Sequence, residues 1–77
     1  MSKENTMSLS KVSKGQKVTI VSINLSENGV NRLSALGLVP GTRIRVIDNS
    51  LVGTSCIECR GAKLALGRGL PDYVEVN

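Results

Sequence analysis

The sequence predicts a mainly β fold, a small antiparallel barrel of about five short strands with one short helix between the first and the second. Three observations carry it. Turn-forming Gly, Pro, Asn and Ser interrupt the chain every several residues, so apolar stretches stay at strand length. No periodic run is long enough to supply the crossover helices of a parallel sheet. The segment Arg32 to Ile44 writes a helix end, a corner and a strand start in succession. There Leu33 and Leu36 share a helical face, Gly37 offers the left-handed residue of a C-cap, and Pro40-Gly41 prevents the helix from continuing. From Thr42 the apolar spacing drops to two. Ile44 and Val46 then face one way and Arg43 and Arg45 the other, as in a half-buried strand.

Element by element, residues 1–8 are polar apart from their methionines and read as a flexible lead to a domain at 9–77. Gln16 to Ile23 holds five β-branched residues among eight and forms the first strand. Asn24 to Gly29 has loop composition, and Ser26 or Asn28 caps the following helix by accepting from its free amides. Val30, Leu33 and Leu36 define that helix. It is about two turns long, so packing rather than propensity must hold it. The second strand runs from Thr42 to Asp48, and Asn49 to Gly53 forms a loop with Gly53 at positive φ. A third strand, Thr54 to Arg60, returns antiparallel. Gly61 to Lys63 then turns into a short strand, Lys63 to Leu66, after which Arg68 to Pro71 holds one helical turn. The last strand is Asp72 to Val76.

Composition narrows the chemistry. Seventy-seven residues make one domain with a thin stability margin. The core must be Val, Ile and Leu, because Tyr73 is the only aromatic residue. Two cysteines and no histidine cannot build a Cys and His zinc site within one chain, nor a disulfide framework. Cys56 and Cys59 have the spacing of a metal clip. On a strand, however, positions three apart face opposite sides, so Cys59 is expected in the core beside Ile57 and Cys56 as an exposed free thiol. No general base, phosphate-binding loop or paired carboxylate motif is present, and neither catalytic, cofactor nor metal residues are assigned. The polar N-terminus has no apolar core of a secretory signal, and no apolar run approaches the ~20 residues of a membrane helix. A cytoplasmic location with reduced thiols is therefore expected.

The net charge of +4 favours an acidic partner without requiring nucleic acid. Arg43 and Arg45, joined by Arg60 from a neighbouring strand, are the candidate docking stripe. Leu51 and Val52, beside Gly53, are a second candidate as a small apolar contact patch or a flap over the barrel end. Nucleic acid is not expected, since one tyrosine cannot form a base-stacking platform. The same lack of aromatics counts against proline-rich peptides.

Leu36-Gly37-Leu38-Val39-Pro40-Gly41-Thr42, the helix before it, Ile57 to Gly61, Leu64 to Leu66 and Val74 to Val76 together resemble the FeoA family over roughly residues 9 to 77. That resemblance implies an SH3-like barrel associated with bacterial ferrous iron uptake. It implies a FeoB-type membrane transporter as partner, contacted through its cytosolic GTP-binding or membrane domain, with the chain peripheral to the membrane only through that partner. Self-association is left open. The barrel also resembles the C-terminal domain of iron- and manganese-dependent repressors. The alternatives are therefore a stand-alone SH3-like module of metal-dependent transcriptional regulation, or a basic nucleic-acid-binding protein. A length of 77 residues leaves no room for the DNA-reading helical domain of such a repressor, which favours the transport reading.

Overall fold

The computed structural model of the chain describes residues 6–49 and 54–77. Among these residues six strands appear in the order β1 (Met7–Ser8), β2 (Lys17–Ile23), β3 (Arg43–Asn49), β4 (Ser55–Cys59), β5 (Ala62–Leu66) and β6 (Val74–Val76). One α-helix, α1 (Glu27–Ala35), lies between β2 and β3, and short 3-10 turns occupy Leu9–Lys11 and Leu70–Tyr73. All pairings are antiparallel, in the spatial order β1-β6-β2-β3-β4-β5. The predicted class is thus observed as an open barrel-like sheet, with β1 and β5 as its edges.

At Met7 and Ser8 the structure departs from the reading of residues 1–8 as a flexible lead. Met7 and Ser8 pair with Val76 and Glu75, and the next residue, Leu9, is fully buried. Side chains fasten the same segment. The Thr6 hydroxyl donates to Glu75 at 2.9 Å and that of Ser10 to Asp72 at 2.7 Å. Polar sequence concealed this because the anchoring contacts are themselves polar. Residues 1–5, and the expected loop residues Ser50 to Gly53 with Leu51 and Val52, lie outside the described residues.

The sheet bends where its register slips. A residue is inserted at Val21 in β2 against β6 and at Ile47 in β3 against β4, and such bulges sharpen twist and curvature. Curvature closes the inner face around Ile20, Ile44, Val46, Ile57, Val74 and Val76, all buried. Alternation along β3 is as expected, with Ile44 and Val46 inside and Arg43 and Arg45 outside. The third strand ends earlier than read. Arg60 and Gly61 both have positive φ, +54° and +83°, and form a two-residue hairpin loop between Cys59 and Ala62.

The helix starts one turn before Val30. Ser26 is its N-cap and its hydroxyl accepts from the Gly29 amide at 3.4 Å. Leu25, just outside, folds back over the first turn, and a Cβ on Gly29 would sit 2.9 Å from the Leu25 Cβ. Gly29, expected in the loop, is thus a helical residue kept small by Leu25. Gly29→Ala would gain about 1 kcal/mol of helix propensity but force an overpacked contact worth about 1–3 kcal/mol. The expected result is a net loss near 1 kcal/mol, read as a fall in Tm of about 4–8 °C.

At its other end the helix closes in a Schellman motif. The Leu38 amide donates to the Leu33 carbonyl and that of Gly37 to Ser34, both at 2.9 Å, with Gly37 at φ +90°. This motif brings together the side chains at Leu33 and Leu38, both buried. Leu36, expected in the core, is 51% exposed. It is the C-cap residue, where the chain leaves the helical path, so spacing along a continued helix misassigns it. Val39 to Thr42 then form a turn closed by the Thr42 amide on the Val39 carbonyl at 3.1 Å, with Pro40 second and Gly41 at φ +95°. The buried Thr42 hydroxyl donates to the Gly37 carbonyl at 3.2 Å and accepts from the Val39 amide at 3.4 Å, locking cap to turn.

Asn49 performs a similar role at the opposite end of β3. Its side-chain amide donates to the carbonyls of Val12, at 2.6 Å, and Leu9, at 3.3 Å, while its oxygen accepts from the buried Ser55 hydroxyl. One side chain thereby ties the first 3-10 turn to the β3–β4 pair.

Candidate docking groove

Cross-strand register gathers the cationic residues. On the outer face of the sheet Lys17 of β2 lies opposite Arg45 of β3, Arg45 opposite Glu58 of β4, and Glu58 opposite Lys63 of β5. Two residue pairs further along, Arg43 lies opposite Thr19. An open concavity of about 280 Å³ sits on this face, lined by Lys17, Arg43, Arg45, Glu58 and Arg60 together with Ile44 and Gly61. The expected stripe of Arg43, Arg45 and Arg60 is therefore brought together, Arg60 arriving from the hairpin loop rather than from a strand.

Lys17 and Glu58 were missed as members. The place of Lys17 depends on β2–β3 register across the intervening helix and that of Glu58 on β3–β4 register, which no local pattern announces. A Lys directly opposite an Arg costs stability in a sheet, and Glu58 offsets only part of that charge. Four cations around one carboxylate leave a groove that favours an anionic ligand. Its open shape and modest volume suit carboxylate side chains on a protein surface more than an enclosed small molecule.

The two cysteines divide as strand geometry requires. Cys59 is buried beside Ile57, while Cys56 shares the other face with Glu58. Cys56 is half-buried rather than exposed as expected, because β3 and β5 flank it on both sides. Among the described residues no three His, Cys, Asp or Glu side chains group to hold a metal ion. A thiol reagent is expected to modify Cys56 in the native protein and Cys59 only on unfolding; two equal rates would contradict this packing.

A second concavity, about 320 Å³ and mostly apolar, separates α1 from β5 and the turn after it, with Leu33, Leu36, Leu66 and Leu70 among its walls and Arg32 beside them. The exposed Leu36 side chain belongs to this cleft. Among the described residues no helix is long and apolar enough to cross a membrane.

An open antiparallel barrel that carries a basic groove and an apolar cleft is a small SH3-like domain. The chain belongs to the FeoA domain family, whose model matches residues 7–77. A crystal structure of an iron uptake regulatory protein (FeoA) is similar at TM-score 0.86 and 32% identity, over 95% of this chain and 97% of that one. The solution structure of a FeoA protein from Chlorobium tepidum is similar at TM-score 0.82 and 26% identity, over 92% of this chain and 69% of that one. A manganese-dependent transcriptional repressor shares the fold at TM-score 0.80 and 19% identity, over 92% of this chain and 40% of that protein. No match is found among curated proteins. Membership supports an accessory role in ferrous iron transport, in a family of small domains not known as enzymes.

Proposed function

We propose that the chain is a cytoplasmic, non-enzymatic accessory protein that docks on a FeoB-type ferrous iron transporter and biases its assembly or its nucleotide-linked states. The observation that carries this reading is the convergence of Lys17, Arg43, Arg45 and Arg60 on one open groove. The groove receives an acidic surface of the transporter, and the chain meets the membrane only through it. Regulation of this kind requires tighter binding to one transporter state than to another. The test is binding of the purified chain to its transporter, in the cytosolic domain and in the full membrane-embedded form, with and without guanine nucleotide. Saturable, salt-sensitive binding together with reduced ferrous uptake in a deletion strain is expected. No binding in any nucleotide state, with normal uptake, overturns the reading.

The same basic groove and the fold shared with a manganese-dependent repressor support a second reading, a transcription-linked nucleic-acid module. Binding to arbitrary duplex DNA that weakens steeply with salt would favour it, and no binding at about 50 mM salt would remove it.

A further inference from the structure

We propose that the free edge of β5, together with the apolar cleft beside it, binds an extended acidic and aliphatic peptide segment of a partner protein by strand addition. This surface is separate from the basic groove and does not depend on the transporter reading.

Among the described residues β5 is the terminal strand of the sheet and pairs only with β4. Counting from the two-residue hairpin loop at Arg60-Gly61, Ala62, Leu64 and Leu66 exchange main-chain bonds with Cys59, Ile57 and Ser55. The amides and carbonyls of Lys63 and Ala65 are then turned to the open side, and both residues are exposed. An edge of this kind is a template for another strand unless something covers it. Here the cleft of about 320 Å³ keeps α1 away from β5, and Ala65 and Leu66 form its near wall.

The cleft walls decide what kind of strand fits. Leu33, Leu36 and Leu70 present aliphatic surface, and Leu36 is left 51% exposed, one of few large apolar side chains so exposed among the described residues. An incoming strand would place alternate side chains there while its main chain bonds to Lys63 and Ala65. Arg32 in the cleft, Lys63 on the edge and the exposed Arg68 just beyond it surround this track with positive charge. A second copy of the chain would bring the same cations against themselves, whereas a segment carrying Asp or Glu around its aliphatic residues complements them. The occupant is therefore a heterologous acidic segment rather than a second copy.

The test uses a capped synthetic peptide of about six residues alternating Glu and Val, a length typical of one strand. Amide exchange at Lys63 and Ala65 is expected to slow on binding, and a peptide N-methylated on alternate residues to bind at least about tenfold more weakly. Ala65→Pro removes an outward amide that β4 does not use, and Leu36→Glu alters only an exposed side chain, so both should stay folded by amide spectra. Each is expected to weaken the peptide at least about tenfold. Arg43→Glu, in the basic groove, should leave peptide binding within about twofold, which separates this proposal from the docking reading. Undiminished binding to folded Ala65→Pro and Leu36→Glu variants, or no binding of the peptide to the parent chain, overturns the proposal. A concentration-dependent dimer lost in Ala65→Pro would also overturn it by giving the edge to a second copy.

Discussion

Leu38→Ala is expected to leave much of the protein unfolded at room temperature, while Leu36→Ala, two residues earlier, changes stability by no more than about 0.5 kcal/mol. Leu38 is buried against Leu33 by the Schellman closure, and its amide supplies the bond to the Leu33 carbonyl. Removing three methylene equivalents from such a site costs about 2–5 kcal/mol. A core of this size provides a net stability of only about 3–5 kcal/mol, so the loss rivals the whole. Urea or thermal unfolding followed by circular dichroism decides the matter. If the two variants behaved alike, the side chain closing the helix onto the sheet would have been misassigned.

Double reversal of Arg43 and Arg45 to Glu is expected to weaken transporter binding at least about tenfold at low salt, with the difference shrinking as salt rises past about 0.1 M. The fold should survive. Arg45 already stands between a cation at Lys17 and an anion at Glu58, so reversing it exchanges one unfavourable pair for another, and Arg43 faces the neutral Thr19. Titration at several ionic strengths, with thermal melts of both proteins, separates a lost contact from a lost fold. Equal affinity in the parent and the reversed chain would remove the groove from the docking surface.

The barrel, the helix position and the corner from Gly37 to Thr42 were legible because local chemistry fixes them. Gly37 and Gly41 take positive φ, Pro40 presets its turn, and β3 alternates. What escaped reading depends on contacts distant in sequence or on the end of a period. The strand at Met7–Ser8 exists only because β6 offers it a free side. Leu36 falls outside the core and Leu38 inside it because the chain reverses at Gly37. Arg43 and Arg45 could be placed together from alternation alone, and Arg60 was foreseen beside them as a neighbour across the sheet. Lys17 and Glu58 required the register of three strands. The open edge at β5 could not be inferred either, since a strand pattern does not reveal how many neighbours the strand has.

The position of β6 has a consequence for how the chain acquires its structure. Val74–Val76 is held between β1 and β2, so the two ends of the domain meet in adjacent strands. During synthesis, β2, α1, β3, β4 and β5 emerge in an order that lets neighbours pair, but the sheet lacks the strand between its two earliest members until the end. Val74 and Val76 fill the core from that last position. Folding therefore completes only once the C-terminal strand has left the ribosome, and the loop it must close gives the slow, non-local kinetics of β-rich domains rather than the speed of a helical bundle.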